Sequence, residues 1–271
     1  MGARVQFLGV AAAVITCASL TLSAQWPALG TRGAPDPTAP APKLADGKTP
    51  DFSGVWEAAR QSCNEATARL GCTDAVQGIP LGAVNIATGN KEVLPMQPWA
   101  EALVKQRRDD AGKDDPASRC LPVPPPRMWW SFFFQKIVHT PDSVTVLDEY
   151  MTQYRQILLD GRALPANPEP LFKGYSVGRW EGETLVVETV GFKDDGWLDV
   201  WGHPLTAQAR TIERIRRVSY GTLEVALTVD DPKAYTKPWT VTIPLSLKPT
   251  GELLEYICNE NNLDIPHLVG K

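Results

Sequence analysis

The feature that most constrains the fold is a period of two in hydrophobicity, which begins near residue 128 and continues toward the C-terminus. Residues 222–229 (TLEVALTV) and 239–247 (WTVTIPLSL) place apolar side chains at every second position. Side chains alternate between the two faces of a β-strand, so this pattern is typical of strands that bury one face. In 143–149 the same alternation places Asp148 on the face of Val144 and Val146, opposite Glu149.

The spacing of these segments predicts a mainly β fold, an antiparallel β-barrel or strongly curved sheet with one short helix. The helix is predicted in QPWAEALVKQRRDD (97–110), where Pro98 suits the first helical position. Five prolines in 114–127 predict irregular structure there. Strands are predicted at 52–58, 132–139, 143–149, 153–159, 174–180, 184–190, 209–218, 222–229, 239–247 and 253–258.

The N-terminus predicts export. Arg4 precedes the short apolar run VQFLGVAAAVIT, and small residues end at Ala24. This is the pattern of a secretory signal peptide over 1–24, which predicts a periplasmic or extracellular location. Cys17 raises a lipoprotein alternative, although Thr16 is a poor residue before a lipidated cysteine. A proline-rich, disordered tether is predicted at 25–49, and a single β-barrel domain at 50–271.

Four cysteines would remain after cleavage. An even number in an exported chain indicates two disulfides, for which three pairings exist. We favour Cys63–Cys72, which closes a short loop, and Cys120–Cys258, which ties the middle of the chain to its end. Free buried thiols are the alternative.

The net charge and the motifs limit the classes of partner that we expect for the chain. The formal net charge is −4, without a basic stretch typical of nucleic-acid binding. No apolar run after the signal peptide is long enough for a transmembrane span, and no histidine or cysteine spacing predicts a metal site. We expect no metal or cofactor, and a small-molecule ligand remains open. The oligomeric state is not constrained.

Charged residues in the predicted strands are the first candidates for a site. If Glu149, Arg155 and Glu213 face into a barrel, they form a polar floor beneath a cavity. A buried carboxylate beside an arginine can act as an acid, a base or an anchor. The alternative is a set of ion pairs on the outer surface. Candidate catalytic residues are Glu149, Arg155, Asp199 and His203, and candidate charged ligand contacts are Glu213 and Arg214.

Aromatic residues and one serine complete the candidates. Nine tryptophans are present, of which Trp180, Trp197 and Trp201 are candidate ligand contacts because they could stack on a ring. GYSVG (174–178) has the spacing of a hydrolase nucleophile elbow around Ser176. The elbow requires a helix after the serine, whereas a turn at Gly182 and the run TLVVET predict a β-hairpin. We therefore interpret Ser176 as a strand residue.

Several phrases together resemble a large family of exported bacterial proteins. They are PDFSGVW, CLP, DGR, GRWEGETLVVET, DDPKAYTKPW and EYICNEN, spread over 50–262. The resemblance implies a shared β-rich domain without a particular activity. It also implies histidines at two positions that are Leu164 and Leu205 here. SGVW is similar to the opening of lipocalin-type barrels, which implies a lipocalin-like fold.

Three functions follow as hypotheses. The first is an exported β-barrel that binds a small molecule. The second is a metal-independent hydrolase, lyase or isomerase that uses a carboxylate and an arginine at the barrel mouth. The third is an envelope interaction protein without a ligand. The face of the sheet on which the charged strand residues lie distinguishes the three hypotheses, because both ligand hypotheses require polar groups at a concave site.

Overall fold

Nine strands of the described chain close into a β-barrel. The computed structural model describes residues 35–59, 81–89, 93–260 and 263. The barrel strands are β1 (Gly54–Ala58), β2 (Gln135–Thr140), β3 (Ser143–Asp148), β4 (Gln153–Leu158), β5 (Tyr175–Glu181), β6 (Thr184–Val190), β9 (Arg210–Ser219), β10 (Thr222–Asp230) and β11 (Trp239–Leu247). Around the barrel they follow the order β1–β11–β10–β9–β6–β5–β4–β3–β2. The separate strands β7 (Gly196–Trp197) and β8 (Pro204–Leu205) pair with each other.

The mainly β fold and the barrel are confirmed, with one difference in strand direction. Neighbouring barrel strands are antiparallel except β4 and β5, which are parallel. The connection 159–174 returns the chain so that β5 starts beside the end of β4. Only two residue pairs join these strands, Ile157 with Ser176 and Leu158 with Val177.

The α-helices within the described residues are α1 (Leu81–Val84), α2 (Pro98–Asp109) and α3 (Pro125–Trp129). The prediction of α2 is confirmed. The expectation of irregular structure throughout 114–127 is wrong, because α3 begins at Pro125. Proline is compatible with the first helical turn, where its missing N–H would have no partner within the helix. The predicted strand at 253–258 is not formed; this segment has no ladder partner among the described residues.

The inner face of the barrel is filled by apolar side chains. In β10 and β11 every second residue is buried, as the alternation predicted. Val146, Ile157, Leu185, Val187 and Ile215 fill the space between the walls. The β5–β6 hairpin turns at Gly182, whose φ of +61° favours glycine. Buried charged residues interrupt this apolar filling along β9, where Glu213 and Arg217 lie on either side of Ile215.

Two chain segments outside the barrel are held by specific contacts. The carbonyl oxygen of Pro37 accepts hydrogen bonds from Gly221 N–H and the Ser219 hydroxyl, at the β9–β10 turn. A disulfide joins Cys120 to Cys258, 138 residues apart, which confirms that predicted pair. Cys63, Cys72 and the signal peptide lie outside the described residues. The tether and the domain boundary at residue 50 stay predictions.

Within the described ranges, no helix has both the length and the apolar character that a bilayer span demands.

Candidate functional site

A polar layer crosses the barrel interior beneath α3. Arg155 on β4 donates to both carboxylate oxygens of Glu213 on β9, at 2.9 and 2.5 Å. The Arg155 guanidinium also donates to the Thr189 hydroxyl at 2.9 Å and to the Ser176 hydroxyl at 3.1 and 3.2 Å. Trp129 of α3 donates its indole N–H to Glu213 at 2.5 Å. Side chains from four strands and one helix therefore meet at one guanidinium–carboxylate pair.

This layer is removed from water. The Arg155 and Glu213 side chains are 1% and 0% exposed. Burying both charges is costly, and their attraction offsets that cost only when geometry is good and the remaining polar atoms are satisfied. The two-pronged contact and the Ser176 and Thr189 hydroxyls meet that requirement. Arg155 and Glu213 therefore face inward, which is one of the two alternatives that the sequence left open for the charged strand residues.

A cleft opens beside this layer where β4 and β5 separate. Its volume is about 510 Å³, and both Arg155 and Ser176 contribute to its lining. The two strands share only the pairs at 157–158 and 176–177, so the first half of β4 has no strand partner on that side. The cleft is also lined by Pro122, Met151, Thr152, Gln153, Tyr154, Gln156, Leu158, Leu171, Phe172, Lys173, Gly174 and Tyr175.

The rim of the cleft contains strained backbone. Met151 and Thr152 have φ of +59° and +47°, a region that non-glycine residues rarely occupy. Thr152 is held there by Tyr256, because its hydroxyl donates to the Tyr256 carbonyl at 2.8 Å and accepts from its N–H at 3.3 Å. The segment that carries Tyr256 ends at the Cys120–Cys258 disulfide. The C-terminal segment therefore supports this edge.

On the opposite edge, Gly174 sets the path of the chain into β5. Its φ is +63°, and a Cβ there would lie 2.8 Å from the Val190 carbonyl oxygen and from Thr189 Cγ2. A residue with a side chain would meet both backbone strain and a steric clash. The turn places Lys173 at the cleft, where its amine lies 3.4 Å from the Sδ atom of buried Met128.

Asp148 and Lys173 form the second polar feature of this region. Asp148 ends β3 and is 2% exposed, and one carboxylate oxygen accepts the Tyr150 N–H at 3.0 Å. Burial raises the pKa of Asp148 to about 7 and lowers the pKa of the Lys173 amine to about 7. The attraction between their opposite charges works against both shifts. A carboxyl and an amine that both titrate near neutral pH are suited to proton transfer.

Gln153 adds an unused acceptor. It pairs with Asp148 across the β3–β4 ladder and lines the cleft. Its amide nitrogen donates to the Tyr150 carbonyl at 2.9 Å, while its Oε1 atom is buried without a partner among the described residues. A buried acceptor without a partner favours a ligand or water that donates to it.

Asp199 and His203 lie elsewhere, in the loop between β7 and β8. Asp199 Oδ2 is 2.6 Å from His203 Nδ1 and accepts the Ile86 N–H at 2.7 Å, while Oδ1 accepts N–H groups of Gly202 and His203. These contacts organise the loop around a fully buried carboxylate. Neither residue lines the cleft, so the structure does not join this pair to Arg155.

The two predicted tryptophans of this loop are covered by arginines of α2. The Arg107 guanidinium lies 4.3 Å from the Trp197 ring centre, and that of Arg108 lies 3.9 Å from the Trp201 ring centre. Trp197 is buried and Trp201 is half-buried. Their role as ligand contacts stays a prediction.

The other candidates are dispersed. Trp180 packs against Phe52 and His139, away from the cleft. Arg214 is exposed on the outer face, where it donates to Glu181 at 2.9 Å. Glu149 is half-buried beside the C-terminal segment, and its carboxylate accepts the Leu254 N–H at 3.2 Å. Glu149 therefore does not join the Arg155–Glu213 layer.

Two further cavities share no lining residues with the β4–β5 cleft. One of about 630 Å³ lies against Leu164 and Phe192, and one of about 310 Å³ lies against Arg107 and Trp197. The larger cavity has Arg210 as its one charged lining residue, which is paired with Glu188. The smaller is lined by oppositely charged surface residues. The β4–β5 cleft has less volume than the first, but there buried ionisable groups converge, which favours a functional site.

Asp148, Lys173 and Gln153 were missed as site residues. The alternation of β3 already placed Asp148 on the buried face, so an inward carboxylate was readable from the sequence. Lys173 directly precedes GYSVG, but nothing in the amino-acid sequence indicates that its amine turns inward. Ser176 lies in β5, which forms a hairpin with β6. A nucleophile elbow instead requires a helix after the serine, so the position of Ser176 does not match one.

Fold and site together define a closed β-barrel with a lateral cleft beside buried ionisable groups. Neither the known family models nor the curated proteins give a match to the chain.

Proposed function

We propose that the chain is an exported β-barrel protein that binds a small molecule in the β4–β5 cleft. The observation that carries the proposal is a cleft of about 510 Å³ that reaches the buried Arg155. This volume is within the usual range of small-molecule sites. The site lies in the barrel wall, whereas the lipocalin-like expectation placed it at the barrel mouth.

The lining defines the chemistry of the ligand. Met151, Leu158 and Phe172 offer apolar surface, and Gln153 offers a spare acceptor. Arg155 and Lys173 are the charged lining residues, and the Glu213 carboxylate is paired with Arg155. We infer an apolar or aromatic body with one polar end, because a few placed polar groups orient a ligand within an apolar pocket.

Export is supported by two features. The N-terminal pattern is that of a signal peptide. The Cys120–Cys258 bond is of a kind that persists in oxidising compartments.

The test uses the fluorescent probe 1-anilinonaphthalene-8-sulfonate, which has an aromatic body and an anionic end. Gln156→Trp places a large side chain at the cleft, and Thr242→Trp is its matched control on the outer face of β11. We expect one probe per chain, with a Kd that rises about tenfold or more in Gln156→Trp, equivalent to about 1.4 kcal/mol. The Thr242→Trp variant should bind the probe with the same Kd as wild type. Equal binding by both variants, or no saturable binding, would contradict the proposal.

A further inference from the structure

We propose that Lys173 captures aldehydes in the β4–β5 cleft as an imine. The inference rests on the proposed binding function and names the reactive class of its ligand. It assigns to Lys173 the role of a nucleophile whose product stays attached to the protein.

The first support is the position of the amine. Lys173 lines the cleft, and its amine has the Met128 thioether, a weak acceptor, at 3.4 Å. In the described part of the chain no carboxylate forms an ion pair with it. By contrast, Lys43, Lys105 and Lys233 each form a surface ion pair. The Lys173 amine is therefore not occupied by a strong partner.

The second support is the charge state of the amine. Burial lowers its pKa to about 7, and Arg155 contributes in the same direction by repulsion, while Asp148 opposes them. The lowered pKa increases the fraction of the Lys173 amine that is unprotonated near neutral pH, whereas an ordinary lysine with a pKa of ~10.4 is almost entirely protonated there. Only the unprotonated amine attacks a carbonyl carbon, so desolvation activates Lys173.

The third support is a proton donor nearby. Burial raises the pKa of Asp148 to about 7, so a neutral carboxyl is available at neutral pH. The Lys173 nitrogen forms a bond to the aldehyde carbon as the carbonyl π bond breaks, and one of the two amine protons moves to the oxygen to give a hydroxyl. Asp148 protonates that hydroxyl as it leaves as water, and a proton lost from nitrogen restores the carboxyl. One amine and one aldehyde thus give one imine and one water, without an oxidant or reductant.

The lining selects among aldehydes. Phe172 and Leu158 give an apolar wall, which favours an aromatic or aliphatic body over a polar sugar. A ligand hydroxyl could donate to the free Gln153 Oε1 atom. The inferred class is an aldehyde on a compact apolar or aromatic frame.

The experiment treats the full chain with benzaldehyde and sodium cyanoborohydride at pH 7. Hydride reduces the imine to a stable benzylamine, which peptide mass spectrometry locates. Lys136, exposed on β2, serves as the internal reference. We expect Lys173 to be labelled at least about tenfold faster than Lys136, because a larger fraction of its amine is unprotonated. Lys173→Arg and Lys173→Met should abolish this fast label, with circular dichroism checking the fold.

Probe binding in the same samples separates the two proposals. If 1-anilinonaphthalene-8-sulfonate binds at the cleft but Lys173 is labelled no faster than Lys136, the imine inference is wrong and the binding function stands. If the probe does not bind and Lys173 is not labelled, both are wrong. Fast labelling of Lys173 that is lost in Gln156→Trp and kept in Thr242→Trp supports both.

Discussion

Arg155 lies inside the barrel because acceptors from three other strands surround its guanidinium. Ser176, Thr189 and Glu213 together accept from it, and Trp129 completes the set at Glu213. A buried ion pair of this kind contributes little relative to apolar packing, but loss of one partner leaves an uncompensated charge. The pair therefore adds little net stability, although neither partner can be removed alone without a cost.

This balance gives a prediction for single and double variants. Arg155→Met should lower the free energy of unfolding by about 3–5 kcal/mol, because Glu213 remains buried without its counter-charge. Arg155→Met combined with Glu213→Leu should recover much of that loss, since both charges are then removed. Denaturant unfolding at pH 7 measures both. A double variant as unstable as the single one would contradict this account of the layer.

Asp148 and Lys173 give a second prediction, in the pH dependence of stability. The pKa of Asp148 rises from 3.8 to about 7, so between these pH values the folded chain keeps a proton that the unfolded chain has lost. Stability then falls as pH rises. The pKa of Lys173 falls from 10.5 to about 7, so between 7 and 10.5 the unfolded chain holds the extra proton and stability rises with pH. The pair thus contributes a stability minimum near pH 7.

Asp148→Asn combined with Lys173→Met removes this contribution. We expect the free energy of unfolding of the double variant to exceed that of wild type most strongly near pH 7. The expected difference is about 1–4 kcal/mol, as for other buried pairs replaced by uncharged groups. Denaturant unfolding from pH 4 to 10 measures the difference. A difference that does not vary with pH would show that the two groups titrate normally.

At the scale of elements, the strands were readable from the sequence because their inner faces are apolar. The period of two located the eight barrel strands from β2 onward to within a few residues and placed Asp148 on the inner face. The same alternation placed Glu149 on the outer face. The hypothesis that Glu149 faces inward together with Arg155 therefore conflicted with the alternation. The segment 253–258 has strand-like composition, but hydrogen bonds to Thr152 and Glu149 replace a ladder.

The C-terminal segment and its disulfide support the cleft. Tyr256 holds Thr152 in its strained conformation, and Cys258 ties the segment to Cys120, two residues before the cleft residue Pro122. Backbone strain of this kind costs about 1–3 kcal/mol per residue and persists only when its surroundings hold it. The Cys120–Cys258 disulfide therefore contributes to the shape of the cleft rim as well as to the stability of the fold.

Cys120→Ser combined with Cys258→Ser should have two effects. The free energy of unfolding should fall by about 2–5 kcal/mol, because the bond closes a long loop. Probe affinity at the cleft should also fall, even where the variant remains folded, since Thr152 loses its support. Denaturant unfolding and fluorescence titration measure these effects. Unchanged affinity in a folded variant would mean that the C-terminal segment does not shape the rim.

At the scale of the whole molecule, the cleft was not predictable from the sequence. It exists because β4 and β5 run parallel and share only two residue pairs, which depends on the path of residues 159–174. The alternation of single strands carries no information on such a pairing. Arg155 and Glu213 were identified as charged strand residues, but Lys173 becomes a site residue only after the turn at Gly174 directs its chain.

The central claim is that the ligand site is the lateral cleft between β4 and β5. The most direct measurement is a ¹H–¹⁵N NMR titration of the assigned chain with 1-anilinonaphthalene-8-sulfonate. We predict saturable shifts of amides in 151–158 and 171–176, on both edges of the cleft. Shifts confined to the loop around Trp201 and His203, or no saturable shifts, would contradict the claim.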